Sequence, residues 1–257
     1  WSPYHYYSRI LISKSFSISD LGLYTACWTL SAMYVNFILS AMGADFYPRL
    51  TGVIQDHRKA NKLVNEQTEI GIAMAIVGIV GVVSFSPLIL KLFYSDHFSS
   101  AWHLLQWMTA GMALKVISWP LGFIVVSKGK AKLFVLLEVS WGIIYVCLLY
   151  WFTHLMGLEG AGVAFFATYC IYWIFVLLSA RKLTAFSWTA NMKTQIFWMV
   201  LAIASVMISS RFLNLFWQSI INSLIIMVVF FYAYHKIRKL IGGDLLTLFI
   251  KKIGLKK

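Results

Sequence analysis

The chain has 257 residues, of which 60% are hydrophobic and only 12% charged, and its mean hydropathy is +0.77. Soluble domains carry about a quarter charged residues, so this composition excludes a water-soluble globular fold. It predicts an all-α, polytopic transmembrane helix bundle, and the 17% aromatic content suits a protein with two membrane interfaces. A net charge of +13 would suggest nucleic acid in a soluble protein. In a membrane protein, basic residues mark the cytoplasmic side instead, so no nucleic-acid partner is expected.

Residues 1–20 are aromatic and polar, and too short to cross a bilayer alone. They read as the outer end of a truncated span or an interfacial segment. The chain opens on Trp1 without a signal-peptide n-region, which reads as a chain whose front half is absent. Ser19-Asp20 offers an N-cap for the first full span, about 21–44. Pro48 is expected to bend the exit from that span, and 45–69 to lie as an amphipathic helix on the membrane surface. A glycine-rich span follows at about 70–92, with Pro87 near its end. Gly71 and Ala75 form a small-xxx-small pair that predicts close approach of a neighbouring helix. Further spans are expected at about 102–127, 133–156, 160–180, 195–213 and 216–234. Each is near the roughly 20 residues that a crossing needs. The tail, 240–257, reads as a basic amphipathic segment at the interface. Organisation then divides into residues 1–20, a helical lobe over 21–182, two additional spans over 183–239, and the tail.

Seven spans put seventeen of the 22 Lys and Arg on one side: Arg49, Arg58, Lys59, Lys62, Lys128, Lys130, Lys132, Arg181, Lys182, Lys193 and the seven from Lys236 onward. Four lie on the other side (Arg9, Lys14, Lys91, Arg211), and Lys115 lies inside a span. This positive-inside bias places the C-terminus in the cytoplasm.

Lys115 sits a dozen residues from either end of its span, at the expected bilayer centre, where an ammonium is costly unless it faces a partner, a cavity or a path. Pro120 removes a helix hydrogen bond close by and is a hinge candidate. Glu138 lies about 8 Å inside the next span at 1.5 Å per residue. The short KGKAK turn predicts an antiparallel hairpin, in which Lys115 and Glu138 stand about 10 Å apart in depth by the same rise per residue. That separation disfavours a private ion pair; either each charge snorkels or both line a shared polar cavity. Arg211 and Lys91 are expected to snorkel at outer helix ends, and Asp45 with Arg49 to form an i,i+4 pair. Cys27, Cys147 and Cys170 fall in apolar runs and read as buried free thiols. The six histidines lack metal-ligand spacing and no GxxxxGK[ST] occurs, so no metal, no P-loop and no cofactor is expected.

The blocks GLYTACWTLSAMYVNFILSAMGADFYPRLTG, NKLVNEQTEIG, KVISWPLGFIVVSKGKAKLF and GLEGAGVAFFATYCIYW resemble the O-antigen translocases. These are polysaccharide-transport flippases of the multidrug/oligosaccharidyl-lipid/polysaccharide exporter superfamily. The likeness covers most of residues 8–182. It implies the second of two six-helix lobes plus two extra helices, with the first lobe missing. It also implies translocation of undecaprenyl-diphosphate-linked oligosaccharide across the bacterial inner membrane, driven by an H+ or Na+ gradient, and no enzymatic role. On that reading Lys115 and Arg9 attract the diphosphate, Glu138 couples an ion or balances the cavity, and Asp45 with Arg49 contributes to a cytoplasmic gate. The competing readings are a polytopic polymerase or ligase of the same pathway and a drug exporter of the same superfamily. Short outer loops weigh against the former, and basic cavity candidates weigh against cationic drugs.

Overall fold

A computed structural model describes residues 3–241. Among them every regular element is a helix: α1 (Pro3–Ser15), α2 (Ile18–Val53), α3 (His57–Ser84), α4 (Ser86–Phe93), a 3₁₀ turn (Asp96–Ala101), α5 (Trp102–Ser127), α6 (Ala131–Met156), α7 (Glu159–Thr184), α8 (Ala190–Phe212) and α9 (Leu215–Ile241). Seven of the helices, α2, α3 and α5 to α9, are long and apolar enough to cross a membrane. The all-α fold class is therefore the one the composition predicts. The interfacial tail lies outside the described residues apart from the last turn of α9.

Three boundaries differ from the sequence reading. Pro48 does not end the first span: α2 runs 36 residues, straight through it, to Val53. The polar segment after it is not a separate surface helix either. It forms the first turns of α3, capped by the Asp56 side chain accepting from the Lys59 N–H. Ala60, Val64 and Thr68 are buried at i, i+4 and i+8, which carries one inward stripe from the polar turns into the apolar span. The reading of 70–92 as one span also fails. The helix breaks at Phe85, and Pro87 starts α4, where a missing N–H costs nothing. Pro87 leaves the carbonyl of Val83, four residues back, without its helical donor. Gln106 of α5, almost wholly buried, supplies one through Nε2 at 2.9 Å, and the Ser86 hydroxyl another at 3.0 Å.

Of the spanning helices, α5 is the most deeply buried. It contacts α2, α3 and α7, while α6 packs on the far side of α7 and α1 bridges α2 to α6. The expected α5–α6 hairpin is thus splayed, with α7 packed against both of its arms. Two glycines hold α5 and α7 together: a Cβ on Gly111 would lie 2.5 Å from the Phe165 ring, and one on Gly162 would lie 2.9 Å from the Leu104 carbonyl. Gly71, singled out beforehand, meets only the Met42 and Val116 side chains at ordinary contact distance. The helices α8 and α9 pack on α3, away from α6. The α7–α8 connection turns at Ala185, whose φ of 53° is left-handed. Asn61 and Asn65 of α3 fasten it by donating to the carbonyls of Thr184 (2.9 Å) and Ser187 (3.2 Å), and Asn65 accepts from the Thr189 N–H (3.0 Å). The three cysteines are free, yet only Cys27 is buried; Cys147 is exposed on α6. An apolar run facing lipid leaves a thiol on the outside of the bundle, which periodicity alone does not reveal.

Candidate functional site

Splaying α5 from α6 opens a cleft of about 500 Å³ walled by α2, α5, α6 and α7. On α5 its lining residues recur at helical spacing, Met112, Lys115, Trp119, Phe123 and Val126, so one face of the helix looks into it. Trp28 and Asn36 come from α2; Phe134, Glu138, Trp141 and Tyr145 come from α6; and Phe165, Tyr169 and Tyr172 come from α7. The walls are therefore mostly aromatic, with one cation, one carboxylate and one amide among them.

At one end, α1 closes the gap between α2 and α6. The Tyr24 hydroxyl donates to Ser8 Oγ of α1 at 2.9 Å and lies 2.9 Å from the Tyr145 hydroxyl of α6. Trp141 stacks on Tyr145 with ring centroids 5.3 Å apart. At the other end the cleft reaches Val126 and Phe134, on either side of the α5–α6 turn.

Lys115 lies about 20 Å from each end of α5 at 1.5 Å per residue. Its ammonium donates to Asn36 Oδ1 at 2.8 Å. A second cavity of about 380 Å³ shares Asn36, Lys115, Trp119 and Phe123 with the first, so the ammonium stands at the junction of two spaces. Glu138 is in the same cleft, on α6, and makes no direct ion pair with Lys115; it accepts from the Tyr172 hydroxyl at 3.0 Å. Asn36 was not among the residues the sequence pointed to. It is an uncharged residue in a polar-poor span, and only the folded packing brings it beside the lysine.

Other predicted site residues lie elsewhere. Arg9 is half-buried on α1, next to Ser8, and is not a cleft-wall residue. Asp45 and Arg49 pair at 2.9 Å, both largely exposed and both on α2, so the pair itself joins no two helices. Pro120 is buried in an α5 that continues unbroken across it.

Two polar clusters were missed. Glu159, at the start of α7, pairs with Arg211 of α8, accepts from Trp107 Nε1 at 3.1 Å and has His103 Nδ1 at 3.5 Å. Arg211 is therefore an ion-pair partner at its helix end, a contact that the snorkelling expectation did not include. Lys91 likewise pairs with Asp96 at 2.7 Å. The second cluster centres on Glu69 of α3, which pairs with Lys236 of α9 and accepts from Asn191 and Gln195 of α8 at 3.0 and 3.1 Å. Both clusters join residues more than 50 positions apart, beyond the reach of any spacing rule.

Seven helices long and apolar enough to span, four of which wall a polar, aromatic-lined cleft, define a multi-pass membrane protein with a candidate path for a polar solute. Residues 3–103 match the family model described as "Polysaccharide biosynthesis protein". That segment contains Asn36 but neither Lys115 nor Glu138. The chain is 24% identical over 169 residues to the "Lipid III flippase" of Escherichia coli (strain K12), covering 64% of this chain and 39% of that protein. The "Lipid III flippase" of Shigella flexneri gives the same figures. The "Putative O-antigen transporter" of Shigella flexneri is 21% identical over 160 residues, covering 62% and 38%. The chain thus spans about two fifths of the length of these curated relatives. No solved structure gives a significant match. The family match and the named relatives support the polysaccharide flippase family for this chain.

Proposed function

We propose that this chain is one helical lobe of a translocase that carries undecaprenyl-diphosphate-linked oligosaccharide, of O-antigen or related type, across the bacterial inner membrane. The names of its relatives support the substrate class. The observation that carries the reading is Lys115: a mid-helix ammonium, held by an amide rather than a carboxylate, in an aromatic-walled cleft. A diphosphate needs a cation inside the membrane, and sugar rings pack on aromatic faces. Arg9 and Lys115 attract the anionic headgroup, and Glu138 is the group that an H+ or Na+ gradient acts on. Asp45 and Arg49 stand at the cytoplasmic end and contribute to gating there, and Pro120 lets α5 flex. The companion lobe completes the cavity, and the C-terminus is cytoplasmic, as the distribution of basic residues supports. Among the described residues the connections 157–158 and 213–214 on the opposite side are short and the third, 85–101, is taken up by α4 and the 3₁₀ turn, which disfavours a polymerase or ligase built on large outer loops. The test is complementation of a translocase-null strain with the full-length gene. Lys115→Ala abolishes surface polysaccharide at normal protein level and Lys115→Arg retains part of it. Wild-type polysaccharide from the Ala variant refutes the assignment.

A further inference from the structure

Beside the open end of the cleft, three helix ends converge on a group of polar side chains that the transport reading does not use. Lys128, the residue after α5, places Nζ 3.0 Å from Nε2 of His57, the first residue of α3. Ser127 Oγ lies 3.2 Å from Thr51 Oγ1, in the last turn of α2. Two nitrogen bases in contact cannot both carry protons without strong repulsion. The contact therefore requires a ring whose Nε2 lone pair accepts from the ammonium. The pair would be satisfied better by an anion between them, because both nitrogens would then donate. The carboxylate nearest in sequence does not fill that role: Asp56 accepts from the Lys59 N–H and pairs with the Lys59 ammonium at 3.3 Å. Asp45, further up α2, is committed to Arg49. Lys130 in the turn and Lys132 in the first turn of α6 add only positive charge.

We propose that the ends of α2, α3 and α5 form a binding site for a lipid-borne phosphate, in which Lys128 and His57 hold the anion and the hydroxyls of Thr51 and Ser127 complete its shell. The location fits the chemistry. The site lies at the ends of three helices long and apolar enough to span, where juxtamembrane basic residues meet anionic lipid. Val126, two residues before Lys128, is the last α5 residue in the cleft wall, so a phosphate at this site sits at the mouth of the cleft. The site stands on this geometry alone and does not depend on the transport reading.

Binding to the full-length protein in detergent, followed by native mass spectrometry, tests it. The probes are a polyprenyl diphosphate, phosphatidylglycerol and, as a phosphate-free control, diacylglycerol. His57→Gln with Lys128→Gln lowers affinity for the diphosphate, the phospholipid or both by about tenfold or more, as the loss of two charge-assisted hydrogen bonds requires. Lys128→Arg, which keeps the charge, stays within about threefold of the parent. Loss confined to the diphosphate identifies a carrier-lipid site, and loss that includes phosphatidylglycerol identifies a general phospholipid headgroup site. The proposal is overturned if the double variant binds both phosphate-bearing lipids like the parent. It is equally overturned if diacylglycerol binding falls by the same factor, since the substitutions would then have disturbed the helix ends and not an anion site.

Discussion

Replacing Glu69 tests whether a single carboxylate docks the last two helices onto the rest of the bundle. Its side chain and that of Lys236 are only 15% and 18% exposed, and its two other donors, Asn191 and Gln195, come from α8. Glu69→Gln keeps the shape and one acceptor oxygen. The two amide bonds fall from charge-assisted to neutral strength, a loss of about 0.5–1 kcal/mol each. Lys236 loses its counter-ion in a place where water cannot fully replace it. Breaking a fully buried pair costs about 3–5 kcal/mol. A lysine at a helix end can reposition toward the interface, which brings that part down to about 1–2 kcal/mol. The sum predicts about 2–4 kcal/mol for Glu69→Gln. Lys236→Met keeps the apolar stem and leaves Glu69 with its two amide donors, so it costs less, about 1–2 kcal/mol. The double variant costs about as much as Glu69→Gln alone, which leaves a coupling of about 1–2 kcal/mol. Equilibrium unfolding of the four proteins in mixed micelles measures all of these. Single-variant losses that add to within about 0.5 kcal/mol of the double would show that the two groups do not act on each other, and the docking argument would fall.

Gln106→Leu preserves volume but removes the Gln106 donor from Ser210 and from the Val83 carbonyl, which keeps only that of Ser86; at about 0.6 kcal/mol per interhelical bond, rising to about 1.7, it costs about 1–3 kcal/mol in the same unfolding assay. Pro87→Ala, which restores a backbone donor for Val83, should offset part of that loss, and no offset would mean that Gln106 does not serve the helix break. Ala185→Gly relieves the left-handed φ of 53° and should stabilise the protein by about 1 kcal/mol, less the entropy that glycine gains in the unfolded chain, whereas Ala185→Val should destabilise it.

How legible was this molecule in its sequence? Spans whose ends are marked by a turn, such as α5 before its KGK turn and α6 after it, could be read to within two residues, because bilayer crossing imposes a length and charges mark the ends. The reading failed where a polar stretch stayed helical. Pro48 was expected to bend the chain out of α2, yet the helix continues through it. The segment 45–69 was expected to lie on the membrane, yet its first part continues α2 and the inward stripe of Ala60, Val64 and Thr68 in the rest packs within the bundle. Of the site, Lys115 was legible because a mid-span cation is costly. Asn36, Glu159 and Glu69 were not, because each has its meaning from a partner on another helix. The cleft itself depends on α7 packing against both α5 and α6, which local patterning cannot show.

The pairing of Lys115 with Asn36 gives the ammonium an amide in place of a directly bonded carboxylate, and this can be tested in isolation. Elsewhere in the described residues most carboxylates pair with cations, among them Asp45 with Arg49, Glu69 with Lys236, Asp96 with Lys91 and Glu159 with Arg211. Lys115 instead meets an amide, which satisfies a hydrogen bond without cancelling the charge. The amide therefore lowers the cost of burying the ammonium while leaving its field available to an anion. Asn36→Asp is nearly isosteric and puts a carboxylate 2.8 Å from the ammonium. Coulomb attraction at an effective dielectric of about 20 is worth roughly 4 kcal/mol at 4 Å, enough to hold the lysine in a closed pair. The variant should thus fold at least as stably as the parent, yet lose surface polysaccharide in complementation. Adding Lys115→Arg should not restore it, because the carboxylate pairs with either cation. If Asn36→Asp instead supports parental polysaccharide levels while its unfolding shows the gained ion pair, then a Lys115 ammonium outside a direct ion pair is not what the cleft requires.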